Sequence, residues 1–276
     1  MLRVGQVCLF YLMLLWLGLM LLVGNVGLVP LVLTPRSFRE PIVQQLISGL
    51  FRLFLHGAER CGLMRLDLGG LDVLNRQKNL LLVANHPSMI DVFLIVSRVH
   101  QAVCLMKASI GSNILFGVGA YLAGYVSNRQ VDLMLRSATA ALGRGPHLLV
   151  FPEGTRSIRL AKGHTGLAQM SQALGVTIVP VGCNGSHRLY PGGSPWASGG
   201  RVVYRIGTPL TPDGPELGPL RVHEAFEPMV PGAMRTHGER FKKITDLVMS
   251  RIESLLDPDH RPGEGAGGTR EMDRFL

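Results

Sequence analysis

A chain of 276 residues suits one domain of ordinary to large size with some extra segments, and it is short for two separate domains. Its 28 Lys and Arg against 19 Asp and Glu leave a net charge of +9, so the natural partners are anionic: nucleic acid, phospholipid headgroups or a phosphorylated substrate. The four cysteines, Cys8, Cys61, Cys104 and Cys183, are scattered without C-x-x-C spacing or a histidine at ligand spacing, which suggests neither a zinc site nor a disulfide framework and fits a cytoplasmic domain.

The chain opens on an apolar run. Val4 to Leu33 carries no charged side chain, and this exceeds the roughly 20 residues needed to cross a bilayer. A cleaved secretory signal is the competing reading, but the run is too long and lacks a small-x-small site followed by a polar start. Residues 1–35 therefore read as a retained membrane segment. Gly24, Gly27 and Pro30 also leave room for a bent segment that enters and leaves the same leaflet. Arg36, Arg39 and Arg52 follow it, against Arg3 before it, which places the following domain on the cytoplasmic side of an inner or cytoplasmic membrane.

Residues 36–66 read as an amphipathic helical linker. Ile42, Leu46, Leu50, Leu53 and Phe54 fall at helical spacing, and the helix either packs on the core or lies on the bilayer surface. Residues 67–256 alternate strand and helix patterns. Leu80–Ala84, Val103–Met106, Leu148–Phe151, Thr177–Val181 and Val202–Ile206 read as strands. Val92–Val99, Val131–Leu142, Leu167–Leu174 and Phe241–Leu256 read as helices. Continuously apolar strands in such an alternation predict an α/β fold, with a central, mostly parallel sheet covered by helices. Residues 257–276, rich in glycine, proline and charge, read as a disordered tail.

Ligands of such sheets gather at the carboxyl ends of the strands. Two motifs fall there. The first is N-H-P-S-M-I-D, Asn85 to Asp91, which offers His86 as a proton acceptor and Asp91 as its orienting carboxylate. Five residues along one regular helix are about 140° apart around its axis, so a turn must separate the two. Pro87 suits a first helical position and predicts a helix opening there. The second motif is F-P-E-G-T-R-S, Phe151 to Ser157. Gly154 permits a tight turn, Glu153 projects near the strand end, and Arg156 presents a planar charged fork suited to phosphate. Ser88 invites a nucleophile reading, but no G-x-S-x-G elbow occurs in the chain. Lys107 ends another strand, and His187 and Arg188 sit in a loop beside the glycine-rich segment Pro191-Gly192-Gly193.

Together these motifs resemble the glycerolipid acyltransferase superfamily, typified by the 1-acylglycerol-3-phosphate acyltransferases. The likeness runs from about Leu68 to Pro212. N-H-x-x-x-x-D and F-P-E-G-T-R-S are both intact, whereas the usual G-x-x-F-I-D-R is altered to Gly124-Tyr125-Val126-Ser127-Asn128-Arg129, and Val179-Pro180-Val181 answers to the proline-bearing strand. The resemblance implies acyl transfer from acyl-CoA or acyl carrier protein to a lysophospholipid, with 1-acylglycerol-3-phosphate giving phosphatidate. The alternatives are another lyso-lipid acceptor or an inactive lipid-binding membrane protein. It implies His86 as base and Asp91 as its partner. Arg129, Glu153, Gly154, Thr155, Arg156 and Lys107 are implied on the acceptor side, with no metal, no bound cofactor and no covalent acyl-enzyme. A phospholipid membrane then accounts for the basic charge, and no recognition feature for nucleic acid is found.

Overall fold

The computed structural model describes residues 4–189, 199–224 and 231–262. In chain order the elements are helix α1 (Val4–Gly27), α2 (Arg36–Arg60), strand β1 (Arg65–Asp67), β2 (Leu81–Ala84), α3 (Asp91–Arg98), β3 (Ala102–Met106), α4 (Ala108–Gly111), α5 (Gly117–Leu122) and β4 (Val126–Ser127). There follow α6 (Val131–Gly143), β5 (His147–Val150), α7 (Gly166–Leu174), β6 (Ile178–Asn184), α8 (Ser186–Leu189), β7 (Arg201–Ile206) and α9 (Pro231–Ser254).

The strands form one sheet in the order β1-β7-β6-β2-β5-β3-β4. β6, β2, β5, β3 and β4 run parallel to their neighbours, and β7 turns antiparallel to β6. The α/β class with a mostly parallel sheet is thus as expected. Every side chain of β2 and β5 is buried because both faces of the sheet are covered. Leu82, Ala84, Leu149, Val179 and Val202 face a layer built from α1, α2 and α3. Leu81, Val83, Val103, Leu148 and Ile178 face α6, α7 and α9, whose Met134, Leu167, Phe241 and Ile244 complete that core.

Three expectations need correction. The helix after β2 opens at Asp91 rather than Pro87: Pro87 offers no N–H, and the Asp91 carboxylate reaches back to the Ser88 N–H at 2.7 Å, which holds residues 88–90 as a turn. Arg65 and Leu66, at the end of the stretch read as helical, pair with Arg201 and Val202 as a short edge strand. The tail is ordered from 257 to 262, where a 3-10 turn at Pro258–His260 buries His260 completely; residues 263–276 lie outside the described residues.

α1 is 24 residues long, about 36 Å at 1.5 Å per residue, and its most apolar window has a mean hydropathy of 2.5. It is followed by a 3-10 turn at Val29–Leu33, which Arg39 of α2 caps by donating to the Val32 carbonyl at 2.9 Å. The chain then doubles back. Gln6 donates to the Gly62 carbonyl, and Met13 packs over Gly57, so α1 and α2 form an antiparallel hairpin. At its far end Asn25 is buried, accepting from Gly119 N at 2.9 Å and donating to the Ile114 carbonyl at 2.6 Å. The polar residue that interrupts the apolar run therefore ties α1 to the loop leading into α5.

Inside the sheet, burial pushes the Cys104 thiol from 9.0 up to about 12. A raised folded value means that the stabilising contribution is whole below 9.0 and is lost as pH rises towards 12. Cys104→Val should therefore flatten unfolding free energy against pH in that window, by up to about 1.4 kcal/mol per pH unit. An unchanged slope in urea unfolding between those limits would sink this account.

Candidate active site

Four neighbouring parallel strands deliver the motif residues to one end of the sheet. His86 follows β2, Glu153, Gly154, Thr155 and Arg156 follow β5, Lys107 follows β3, and Arg129 follows β4. The strand order places them in that sequence along the edge, each step about 4.8 Å.

His86 Nδ1 lies 3.0 Å from Asp91 Oδ2, and the Asp91 side chain is fully buried while His86 keeps 17% exposure. A carboxylate accepts only, so Nδ1 carries the proton in this pairing, and in the neutral ring the lone pair is on Nε2. Nε2 has no hydrogen-bond partner among the described residues. The imidazole stacks on Phe151, with centroids 4.1 Å apart and planes at 22°. The two motifs are also joined through the main chain: His86 N donates to Glu153 Oε1 at 3.0 Å, and Ser157 N donates to the His86 carbonyl at 3.1 Å. Asn85 exchanges two hydrogen bonds with the main chain of Cys183, accepting at 2.7 Å and donating at 3.0 Å, and so locks the end of β2 to β6. The asparagine and the phenylalanine of the motifs thus shape the site through contacts within the protein.

The other Asp91 oxygen, Oδ1, accepts from the Tyr204 hydroxyl at 3.1 Å and the Cys183 thiol at 3.2 Å. Neither residue stands in either motif. Burial pushes the thiol and the phenol well above their ordinary values, and the Asp91 charge adds to both shifts.

Glu153, read as an acceptor contact, is fully buried. Its oxygens accept from His86 N and from Ala161 N at 2.9 Å, so it brackets the loop rather than facing it outward. Burial raises its carboxyl above the ordinary value, and those two backbone bonds oppose the shift. Gly154 turns at φ +65, where a Cβ would stand 3.1 Å from His164 Nε2. Thr155, Arg156, Lys107 and Arg129 are exposed. Among the described residues, none of those three basic side chains forms an ion pair. Ser88 Oγ is buried without a hydrogen-bond partner among the described residues, and nothing pairs it with His86.

His187 and Arg188 turn towards the ordered tail. Arg188 pairs with Asp259 at 2.6 Å, and His187 meets the His260 ring edge-on at 4.5 Å. His187, Asp259 and His260 have ligand atoms within 4.8 Å of one another, a spacing that could hold a metal ion. Both His260 nitrogens are spent, however: Nδ1 donates to the Ile158 carbonyl at 2.7 Å and Nε2 accepts from Gly185 N at 2.8 Å. The cluster is a hydrogen-bonded staple that pins the loop after Arg156 against the end of β6.

The loop bearing Arg129 is braced by α2. Glu40, almost fully buried, makes a two-point ion pair with Arg144 at 2.7 and 3.1 Å, and its carboxylate lies over Gly124. Gln44 donates to the Ala123 carbonyl at 2.8 Å. Asn128 Oδ1 accepts from Ala108 N at 2.9 Å, so the Lys107 and Arg129 ends are joined.

Residues 65–184 match the family described as Acyltransferase. A 1-acyl-sn-glycerol-3-phosphate acyltransferase of Chlamydomonas reinhardtii is 27% identical over 185 residues, which is 64% of this chain and 54% of that protein. A chloroplastic 1-acyl-sn-glycerol-3-phosphate acyltransferase of Arabidopsis thaliana is 28% identical over 119 residues, 41% of this chain and 33% of that protein. The chain thus spans about half, or less, of the length of these curated relatives. The crystal structure of the 1-acyl-sn-glycerophosphate acyltransferase PlsC from Thermotoga maritima shares the fold, with a TM-score of 0.61 at 21% identity over 91% of this chain and 99% of that one. Over residues 65–184 the chain thus matches an acyltransferase family, and it resembles the 1-acylglycerol-3-phosphate acyltransferases.

Gly124 tests the bracing of the second-motif loop. It sits at φ +78, and a Cβ there would stand 2.7 Å from Glu40 Cδ. Gly124→Ala should lower stability by about 1–3 kcal/mol. An unchanged midpoint in thermal unfolding would show that the loop is not held as described.

Proposed function

We propose that the chain is an O-acyltransferase that moves a fatty acyl group from acyl-CoA or acyl carrier protein to the free hydroxyl of 1-acylglycerol-3-phosphate, giving phosphatidate. One observation carries this reading: a histidine base at the end of β2 is followed, along the same sheet edge, by Arg156, Lys107 and Arg129, exposed and without carboxylate partners among the described residues. A phosphomonoester beside a hydroxyl fits such a base with cations on one side of it.

The chemistry follows from the His86 geometry. Nε2 takes the proton of the acceptor hydroxyl as that oxygen bonds to the thioester carbonyl carbon. Asp91 holds the ring and stabilises the imidazolium that forms. The tetrahedral adduct collapses with cleavage of the C–S bond, and the proton on Nε2 passes to the departing sulfur. No covalent acyl-enzyme and no bound cofactor is required. Arg156, one strand from His86, is the foremost phosphate ligand, with Thr155 and the Gly154 turn shaping its loop. Lys107 and Arg129, two and three strands away, extend the positive edge.

Another lyso-lipid as acceptor was suggested by the altered interior of the second motif. Val126 of that interior is buried in β4, Tyr125 packs into the core, and Asn128 is turned onto the Ala108 N–H. Tyr125 and Val126 thus belong to the scaffold and Asn128 is held by a main-chain bond, which favours the phosphate-bearing acceptor. The work is done at a membrane, supported by the exposed Leu12, Leu15, Leu19, Val23 and Val26 of α1 and by Leu33 and Phe38 at the hairpin turn. Arg36, Arg39 and Arg52 favour the cytoplasmic side for the catalytic domain.

Acyl transfer by purified protein in detergent should fall about 10²–10⁴-fold in His86→Ala and by a comparable order in Asp91→Asn. Full activity in both variants would remove the proposed base. In an acceptor panel, Arg156→Gln should raise KM for lysophosphatidate by roughly tenfold or more and leave acceptors without a phosphomonoester little changed. Equal losses across the panel would take the phosphate away from Arg156.

A further inference from the structure

We propose that Tyr204 and Cys183 are positioning residues for the His86–Asp91 pair, two neutral buried donors that aim the Asp91 carboxylate and take up part of its charge. This rests on the base role given to His86. Asp91 has no exposed surface, and four donors surround it: His86 Nδ1 and Ser88 N on Oδ2, the Tyr204 hydroxyl and the Cys183 thiol on Oδ1. The first two come from its own motif. The second two come from β6, which pairs with β2, and from β7 beyond it, and Tyr204 lies outside residues 65–184 that match the family.

The placement follows from strand register. Cys183 and Tyr204 are direct partners across the antiparallel β6–β7 pair, so their side chains stand together on the same face of the sheet. Both are buried in the core layer that also holds Ala84, Ile90 and Leu94. In that apolar setting alanine or valine would fill the place of the thiol, and phenylalanine that of the phenol. The polar atoms instead converge on one carboxylate oxygen, and Cys183 Sγ lies 3.3 Å from Ser186 Oγ as well. With burial holding both protons on, thiol and phenol stay donors wherever a histidine base works.

The groups facing the pair are few. Glu153 approaches His86 from the loop after β5, Ser186 and His187 come from the end of β6 and α8, and His260 backs His187 from the ordered tail. Among the described residues no lysine or arginine forms an ion pair with Asp91. Neutral donors therefore balance the carboxylate where a cation would compete with the imidazolium. Removing one leaves more charge directed at His86, so the protonated ring is held more strongly and the ring is aimed less firmly.

The test is kcat/KM against pH for the full chain in detergent, using acyl-CoA and lysophosphatidate, in Tyr204→Phe, Cys183→Ala and Cys183→Ser, with His86→Ala alongside. In Tyr204→Phe and Cys183→Ala the acid limb should move to higher pH by about half a unit or more, and the plateau should fall roughly threefold to tenfold. KM for both substrates should change little. Cys183→Ser keeps a donor and should retain the original limb. A limb that stays in place, or moves to lower pH, overturns the proposal whatever the plateau does, since lost folding alone reduces the amount of active enzyme without moving the limb. Either donor variant suffices if the other fails to fold. Full activity in His86→Ala would defeat the base reading itself, whereas an inactive His86→Ala with an unmoved limb defeats only this inference.

Discussion

A carboxylate with no exposed surface dictates much of the architecture around it. Desolvating such a group is worth several kcal/mol against folding unless its oxygens are met by donors. Asp91 meets that demand by drawing on three places in the chain at once: its own turn through Ser88, the end of β6 through Cys183, and β7 through Tyr204. Those elements have to be brought within about 3 Å of one point, and the Asn85–Cys183 exchange does this for β2 and β6. The helix start at Asp91, the antiparallel return of β7 and the fixed plane of the His86 ring are parts of one arrangement.

The same logic separates two populations of charge. Several arginines are committed to structure: Arg144 to Glu40, Arg188 to Asp259, Arg205 to Asp257 and Arg251 to Glu216. Among the described residues, Arg156, Arg129 and Lys107 are not paired in this way. Net positive charge alone is a statement about partners in general. The uncommitted part is located: it lies at the carboxyl ends of parallel strands, along the same edge as His86.

How much of this was legible in the sequence depended on the range of each contact. His86, Asp91 and Phe151–Ser157 could be placed at the site because each motif is continuous and directly follows an apolar strand, so local pattern and position coincide. Most of the strand and helix readings match observed elements to within a few residues for the same reason, though α9 begins ten residues earlier than read. The two- and three-residue strands β4 and β1 are too short to show a period. Tyr204 and Glu40 had no local signal at all: their roles arise from pairing across β6–β7 and from α2 lying over Gly124, contacts made between residues more than a hundred positions apart in one case and eighty in the other. Residues 257–262, the described start of the stretch read as a tail, misled through composition. Glycine, proline and charge near its start argued for disorder, yet one histidine with both nitrogens engaged anchors it.

The position of α2 has an unobvious bearing on how the chain can be handled. The helix that completes the apolar hairpin also supplies Glu40 and Gln44 to the loop leading to Arg129, and it packs on α3, which begins with Asp91. Trimming the hairpin to obtain a water-soluble fragment would remove the support of the loop leading to Arg129 while leaving every motif residue in the sequence. The apolar hairpin and the bracing of the Arg129 loop share one helix, so solubility gained by deletion would disturb that loop; it has to come from replacing the outward apolar face of α1 residue by residue.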